Sequence, residues 1–120
     1  LVRERDLDRF IAPAAGRRVA VIGEMRELGA RARDLHTASG RAAARAGVDL
    51  LIVVGGPAAD GVVDGAVAAG LASDRVHRFA DSTSARDTVA ALVRQGDLVL
   101  VKGSRGTRTD VIVDRLMGEA

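Results

Sequence analysis

The sequence predicts an open, mainly parallel Rossmann-like α/β sheet with helices on both faces. Three observations carry this expectation. Short strand-like runs recur along the chain at VAVI, LLIVV, VHRF and LVLV. Each is followed by a segment whose apolar or small residues return at helical spacing, giving the rhythm β-α-β-α-β-α-β-α. The second and fourth runs are uniformly apolar, as strands covered on both faces are. Right-handed crossovers then connect parallel strands, while the pattern leaves strand order open.

The elements follow in order. Residues 2–11 read as a short charged helix with Leu7, Phe10 and Ile11 on one side, and Pro13 to Gly16 as a linker. The first strand is expected over 18–22. A helix over 32–46 places Leu35, Ala38, Ser39, Ala42, Ala43 and Ala46 on one face, and Gly47 is suited to stop it. The second strand spans 50–54. Gly55-Gly56-Pro57 turns the chain, with Pro57 fitted to a first helical position; that helix reaches Ala69 and stops at Gly70. The third strand spans 76–79. Residues 81–84 (DSTS) offer N-caps for a helix over 85–94, with Asp87 three after Ser84 resembling a capping box, and Gly96 ends it. The fourth strand spans 98–101, and Thr109 can cap a last helix over 110–117.

Bulk properties narrow the function. At 120 residues the chain is one domain, or a piece of a larger protein. It can bury roughly two-thirds of its unfolded surface without staples. The net charge is +2 and no stretch is a basic block, so nucleic-acid binding has no support. The absence of cysteine excludes disulfides and thiolate metal sites and is compatible with a reducing cytoplasm. No apolar run approaches the ~20 residues of a membrane span, and LVRERDLDRF is too charged for a signal peptide. Of 18 basic residues one is lysine, Lys102, and the other 17 are arginine. Either one lysine survived an arginine-biased composition by chance, or it does a job that a planar guanidinium cannot.

In such sheets ligands bind beyond the carboxyl ends of the strands, where residues 23–29, 55–57, 80–84 and 102–108 come together. VKGSRGTRT (101–109) combines two glycines with Lys102, Ser104, Arg105 and Arg108 beside a helix N-terminus. That composition suits phosphate or carboxylate, and equally a solvated turn before a capped helix. It is not a Walker loop, because the lysine precedes the glycines. In GEMRELG (23–29), Glu24 and Glu27 can orient a cation, an amine or Mg²⁺, or the stretch is a surface loop with Arg26 paired to a carboxylate. Met25 and Leu28 are expected to pack beneath it. GGPAADG reads as a tight turn, since it lacks the full dinucleotide fingerprint. His36 reads as a satisfied structural histidine. His77 has no partner at ligand spacing, and no metal cluster or nucleophile–base pair stands out. With Phe10 and Phe79 the only aromatics, a platform for stacking a base is poorly supplied.

Together these motifs resemble the C-terminal domain of the Mur ligases, ATP-dependent amide-forming enzymes of peptidoglycan synthesis. The resemblance rests on RRVAVIGEMRELG (17–29), Leu35-His36, LLIVVG (50–55), HRFAD (77–81) and GDLVLVKGSRGTR (96–108). It runs in order from about Gly16 to Leu116, leaving residues 1–15 outside it as a linker and 16–120 as the domain. It is nearest the branch that adds D-alanyl-D-alanine to a UDP-linked muramoyl tripeptide. Glu24 stands where many relatives carry Asp. The family's hinge with its tyrosine and asparagines is missing, for the chain has neither residue, and so is the P-loop of the central ATPase domain. The chain therefore looks like one domain of a longer enzyme, or a stand-alone relative.

The resemblance implies that ATP and Mg²⁺ are held mainly by the central domain, which phosphorylates a carboxylate, and that an incoming amine attacks the acyl phosphate. The C-terminal domain closes on that partner and positions a small amino acid or dipeptide. Lys102 and Arg105 would hold a phosphate or the dipeptide's carboxylate, with Ser104 and Arg108 in the same loop, and Glu24 and Glu27 would line the cleft. No complete catalytic set lies in this domain, so alone it is expected to be inactive. The alternatives are a stand-alone nucleotide-binding module, a related ligase of a non-cell-wall peptide pathway, and a domain kept only for interaction.

Overall fold

The structure is a computed structural model that describes residues 16–25, 29–103 and 107–118; the expected helix over 2–11 lies outside them. Four strands and four helices alternate. They are β1 (Arg18–Gly23), α1 (Ala32–Arg45), β2 (Leu50–Val54), α2 (Asp60–Ala68), β3 (Val76–Phe79), α3 (Ser82–Leu92), β4 (Leu98–Lys102) and α4 (Thr109–Leu116). Single 3-10 turns precede α1, α2 and β3.

All strand pairs are parallel and the sheet order is β3-β2-β1-β4. The chain steps outward from β1 through β2 to β3, then returns past β1 to β4. Right-handed crossovers require such a reversal to switch faces, and the two cores show it. Ala20, Ile22, Leu51, Val53 and Leu100 pack with Ala43 and Ala46 of the α1 segment and Val62 and Ala66 of α2. Val19, Val21, Ile52, Val54 and Val99 pack with Ala85 and Val89 of α3 and Ile112 of α4. Alternate residues of one strand thus serve opposite cores. Every residue of β2 is buried, which is why its sequence lacks alternation. Each aliphatic side chain so buried contributes about 1.5–3 kcal/mol.

Three local expectations are corrected. Asp81, not Ser84, caps α3: its side chain accepts from the Ser84 N–H at 2.7 Å. The helix therefore begins at Ser82, and Ser84–Asp87 is not a capping box. Gly96 does not end that helix, which stops at Leu92; Gly96 sits at φ +91° in the turn before β4. Thr109 is the first residue of α4 rather than its cap. Arg108 takes the cap position in the left-handed region, without a side-chain cap bond. Gly47 and Gly70 do follow α1 and α2 with positive φ.

At the amino end of the sheet, Arg17 and Asp97 tie β1 to β4. Arg17 Nε and Nη2 donate to the two carboxylate oxygens of Asp97 at 3.2 and 2.9 Å, and Nη2 also donates to the Leu92 carbonyl at 2.7 Å. The Arg94 N–H adds a third donor to Asp97 at 2.7 Å. Burial pushes the Asp97 carboxyl up, but Arg17 and the Arg94 amide outweigh it and hold the group below its ordinary value. A carboxylate depressed in the folded state stabilises above its unfolded pKa, and that contribution is lost as pH falls through the folded value. Asp97→Asn should therefore cost about 2–4 kcal/mol at neutral pH in urea unfolding. The gap to the parent should shrink below about pH 4; a gap that stayed constant on acidification would exclude this charge pair as its source.

Candidate functional site

The sheet order decides where a ligand can sit. Beyond β1 the chain turns toward the α1–α2 face, and beyond β4 toward the α3–α4 face. Neighbouring strands whose connections part in this way leave a crevice at their carboxyl ends. Of the two loops singled out in the sequence, the described residues 23–25 and 102–103 flank it. Pairing puts Ile22 opposite Lys102.

The strand ends here are bare by necessity. A Cβ placed on Gly23 would fall 2.7 Å from Thr107 Oγ1 and 2.9 Å from Thr109 Cγ2. One placed on Gly103 would fall 3.0 Å from the same Thr107 oxygen and 3.2 Å from the Gly23 Cα. Gly23 and Gly103 lie close to each other and to the Thr107 and Thr109 side chains, so a Cβ added at either would crowd them.

Glu24 follows at once. Its N–H donates to the Val54 carbonyl at 2.7 Å, so β1's hydrogen bonding continues one residue past the strand. Its side chain lies over the Gly55-Gly56 turn: a Cβ on Gly55 would come within 2.4 Å of Glu24 Cβ, and one on Gly56 within 3.1 Å of Glu24 Oε2. GGPAADG is thus a turn, as expected, but also the seat of Glu24. Arg78 secures that seat from β3, donating to the Gly56 carbonyl at 2.7 Å and to Asp60 at 3.0 Å.

The next residue is held differently. The Met25 N–H donates to His36 Nε2 at 2.9 Å, and His36 Nδ1 lies 2.5 Å from the Ala32 carbonyl. A carbonyl only accepts, so Nδ1 carries the proton and Nε2 offers its lone pair. His36 is fully buried.

Lys102 is the last residue of β4, half-buried, and its Nζ donates to Ser39 Oγ on α1 at 3.2 Å. Arg108 is on the other face of the sheet. Its guanidinium forks onto Asp110 at 2.9 and 3.1 Å, and that hydrogen bond holds the Asp110 carboxyl below its ordinary value. The two cations therefore flank the crevice from opposite sides. Glu27, Ser104 and Arg105, the other candidates, lie outside the described residues.

On the α3–α4 side a cavity of about 130 Å³ opens between the ends of β2 and β3 and the start of α3, bounded by Gly55, Asp81, Ser82, Thr83, Thr107 and Arg108. Ser82, buried, donates to the Thr107 carbonyl at 2.5 Å and joins the β3 loop to the β4 loop. The sequence offered Ser82 only as a helix cap and the glycine pair only as a turn, and it assigned Arg78 no role of its own; His36, expected as a satisfied structural histidine, is buried with both ring nitrogens bonded. The sequence signal for a bond beyond its helix was a histidine on the edge of an apolar helix face, shortly after a polar loop.

The family model for the Mur ligase glutamate ligase domain matches residues 6–105. The chain belongs to this Mur ligase domain family. It is 38% identical over 106 residues to the UDP-N-acetylmuramoyl-tripeptide–D-alanyl-D-alanine ligase of Mycobacterium leprae, covering 88% of this chain and 20% of that protein. The Escherichia coli K12 ligase of the same name is 33% identical over 108 residues, covering 88% of this chain and 22% of that one. Among solved structures, a MurF from Acinetobacter baumannii superposes with a TM-score of 0.74 at 25% identity, over 95% of this chain and 25% of that one. The MurF ligase of Thermotoga maritima, solved in complex with ADP, gives 0.70 at 24% identity, with coverages of 95% and 24%, and speaks for the fold. The Mur ligase domain thus spans about a fifth to a quarter of the length of these relatives.

Proposed function

We propose that this Mur ligase domain is the closing domain of an ATP-dependent amide ligase of peptidoglycan precursor synthesis. The ligase joins D-alanyl-D-alanine to a UDP-N-acetylmuramoyl tripeptide through an acyl phosphate, in the cytoplasm. The observation that carries this reading is the alignment of 88% of the chain, at 33–38% identity, with ligases bearing that one name.

The geometry supports a positioning role. Lys102 and Glu24 stand at the carboxyl ends of the adjoining strands β4 and β1, where Gly23 and Gly103 let Thr107 and Thr109 pack close. Lys102 suits a phosphate or carboxylate oxygen as a point charge, and Glu24 suits the incoming amine. The cavity beside α3 is far below the ~300–1,000 Å³ of a drug- or nucleotide-sized site, and fits the carboxylate end of a dipeptide beside Ser82, Thr83 and Arg108. ATP is therefore assigned to the central ATPase domain, which this domain meets from outside. The described residues do not fit a resident metal: no group of three or more His, Asp or Glu is placed to hold one. In this reading Mg²⁺ is held with ATP mainly by the central domain. Among the described residues no helix is long and apolar enough to cross a membrane.

What this domain contributes is closure. It brings an amine to an activated carboxyl and keeps water out, and holding two reactants in register is worth up to ~7–11 kcal/mol of barrier. In the full-length protein carrying this domain, ADP release should require both the UDP-linked tripeptide and D-alanyl-D-alanine. The isolated chain should neither turn over nor bind ATP at micromolar levels. Micromolar ATP binding by the isolated chain would favour the stand-alone nucleotide module, and turnover with a different amine would favour a pathway outside the cell wall.

A further inference from the structure

Resting on the ligase reading above, we propose that His36 is a positioning residue that fixes Glu24 at the mouth of the crevice. A histidine serving only the core would spend its hydrogen bonds within its own helix or on its neighbours. His36 spends one there, on Ala32, and sends the other out of the helix to the Met25 backbone. That bond falls one residue after Glu24. Glu24 is consequently held on both sides: its own N–H on the last carbonyl of β2, the following N–H on the imidazole.

The imidazole has little room to retreat. It is fully buried, and α2 runs so near the base of the side chain that a Cβ added on Gly61 would come 3.1 Å from His36 Cβ. The ring's other nitrogen is engaged by a carbonyl at the start of α1, which fixes both tautomer and ring plane. Gly55 and Gly56 complete the hold from below by leaving space for the Glu24 side chain alone. Four elements, β1, α1, β2 and the turn before α2, thus converge on one residue. Releasing the Met25 amide would let the Glu24 carboxylate drift, and a displacement of about 1 Å at a reacting centre can cost on the order of 10²-fold in rate.

The test is a pair of substitutions in the full-length ligase. In His36→Gln the side-chain oxygen reaches the place of Nε2 and can accept from Met25. In His36→Asn it falls short. We expect His36→Asn to lower kcat by about tenfold or more while KM for ATP changes little, and His36→Gln to stay within about threefold of the parent. Hydrogen–deuterium exchange at Met25 should speed up in the Asn variant and remain slow in the Gln variant. Equal loss of kcat in both variants, or none in either, would overturn the proposal. Should His36→Asn not fold, His36→Gln decides alone: retained kcat with Met25 protected supports positioning, and lost kcat with Met25 still protected overturns it. A parent enzyme that forms no amide would refute the ligase reading and the role in turnover with it. Met25 exchange would then still report, separately, whether the imidazole holds the loop.

Discussion

Gly65→Ala is expected to lower the unfolding free energy by about 3 kcal/mol or more, although alanine is the better helix former. The reason lies where α1 and α2 cross. A Cβ on Gly65 would fall 2.0 Å from the Thr37 carbonyl oxygen, and one on Gly40 would fall 1.9 Å from that of Val62. In both cases the obstacle is backbone of the facing helix, which cannot rotate away as a side chain can. Relief requires the two helices to move apart, and that would strip contact from Ala43, Val62 and Ala66, all buried in the same core. The helical gain from Gly to Ala, about 1 kcal/mol, is smaller than that loss. Gly61→Ala provides a graded comparison: its nearest obstacles are His36 Cβ at 3.1 Å and the Arg33 carbonyl at 3.2 Å, so a small accommodation suffices. In thermal unfolding, Gly40→Ala and Gly65→Ala should each lower Tm by roughly 10–20 °C, and Gly61→Ala by much less. Equal melting temperatures across the three would mean that this crossing does not depend on glycine.

These glycines mark where sequence reading ran out. The apolar runs and helical spacings located all four strands and all four described helices to within a few residues, because burial of alternate or every-third-or-fourth side chains leaves a periodic trace. β2 was legible residue for residue, since a strand covered on both faces is apolar throughout. By contrast, Gly40 and Gly65 look like weak points in a helix until the facing helix is in place. The start of α3 was misplaced because Asp81, Ser82 and Ser84 are all competent caps, and only backbone geometry selects among them. For the candidate site, the sequence proposed Glu24, Lys102 and Arg108, and the fold places the three at the carboxyl edge of the sheet. The sequence was silent on strand order, so the meeting of the β1 and β4 loops, and the separation of Lys102 from Arg108 onto opposite faces, emerged only from the fold. The histidine bond to Met25 spans a loop and a 3-10 turn, and no periodicity encodes it.

On the proposed ligase reading, Lys102→Met should lower turnover of the full-length protein by about 10²–10³-fold, the cost of removing one donor aimed at charge that develops in a transition state. The substitution keeps the aliphatic stem, and Tm should shift little. Position argues for the size of the effect. Lys102 ends β4 at the carboxyl edge of the sheet, paired with Ile22 of β1. Its ammonium is steered by Ser39 from α1 rather than left to sweep through solvent. If that hydroxyl only orients the lysine, Ser39→Ala should cost no more than several-fold in kcat. Lys102→Arg should recover little of the loss, because a half-buried point-charge site does not accommodate a planar fork; this is the sense in which the lone lysine among 17 arginines is informative. The split between constants sharpens the test. A cation that binds substrate and transition state equally would raise KM and spare kcat, whereas one that acts on developing charge lowers kcat. Turnover of Lys102→Met within threefold of the parent, with unchanged stability, would remove Lys102 from the site and leave Ser39 as its structural partner.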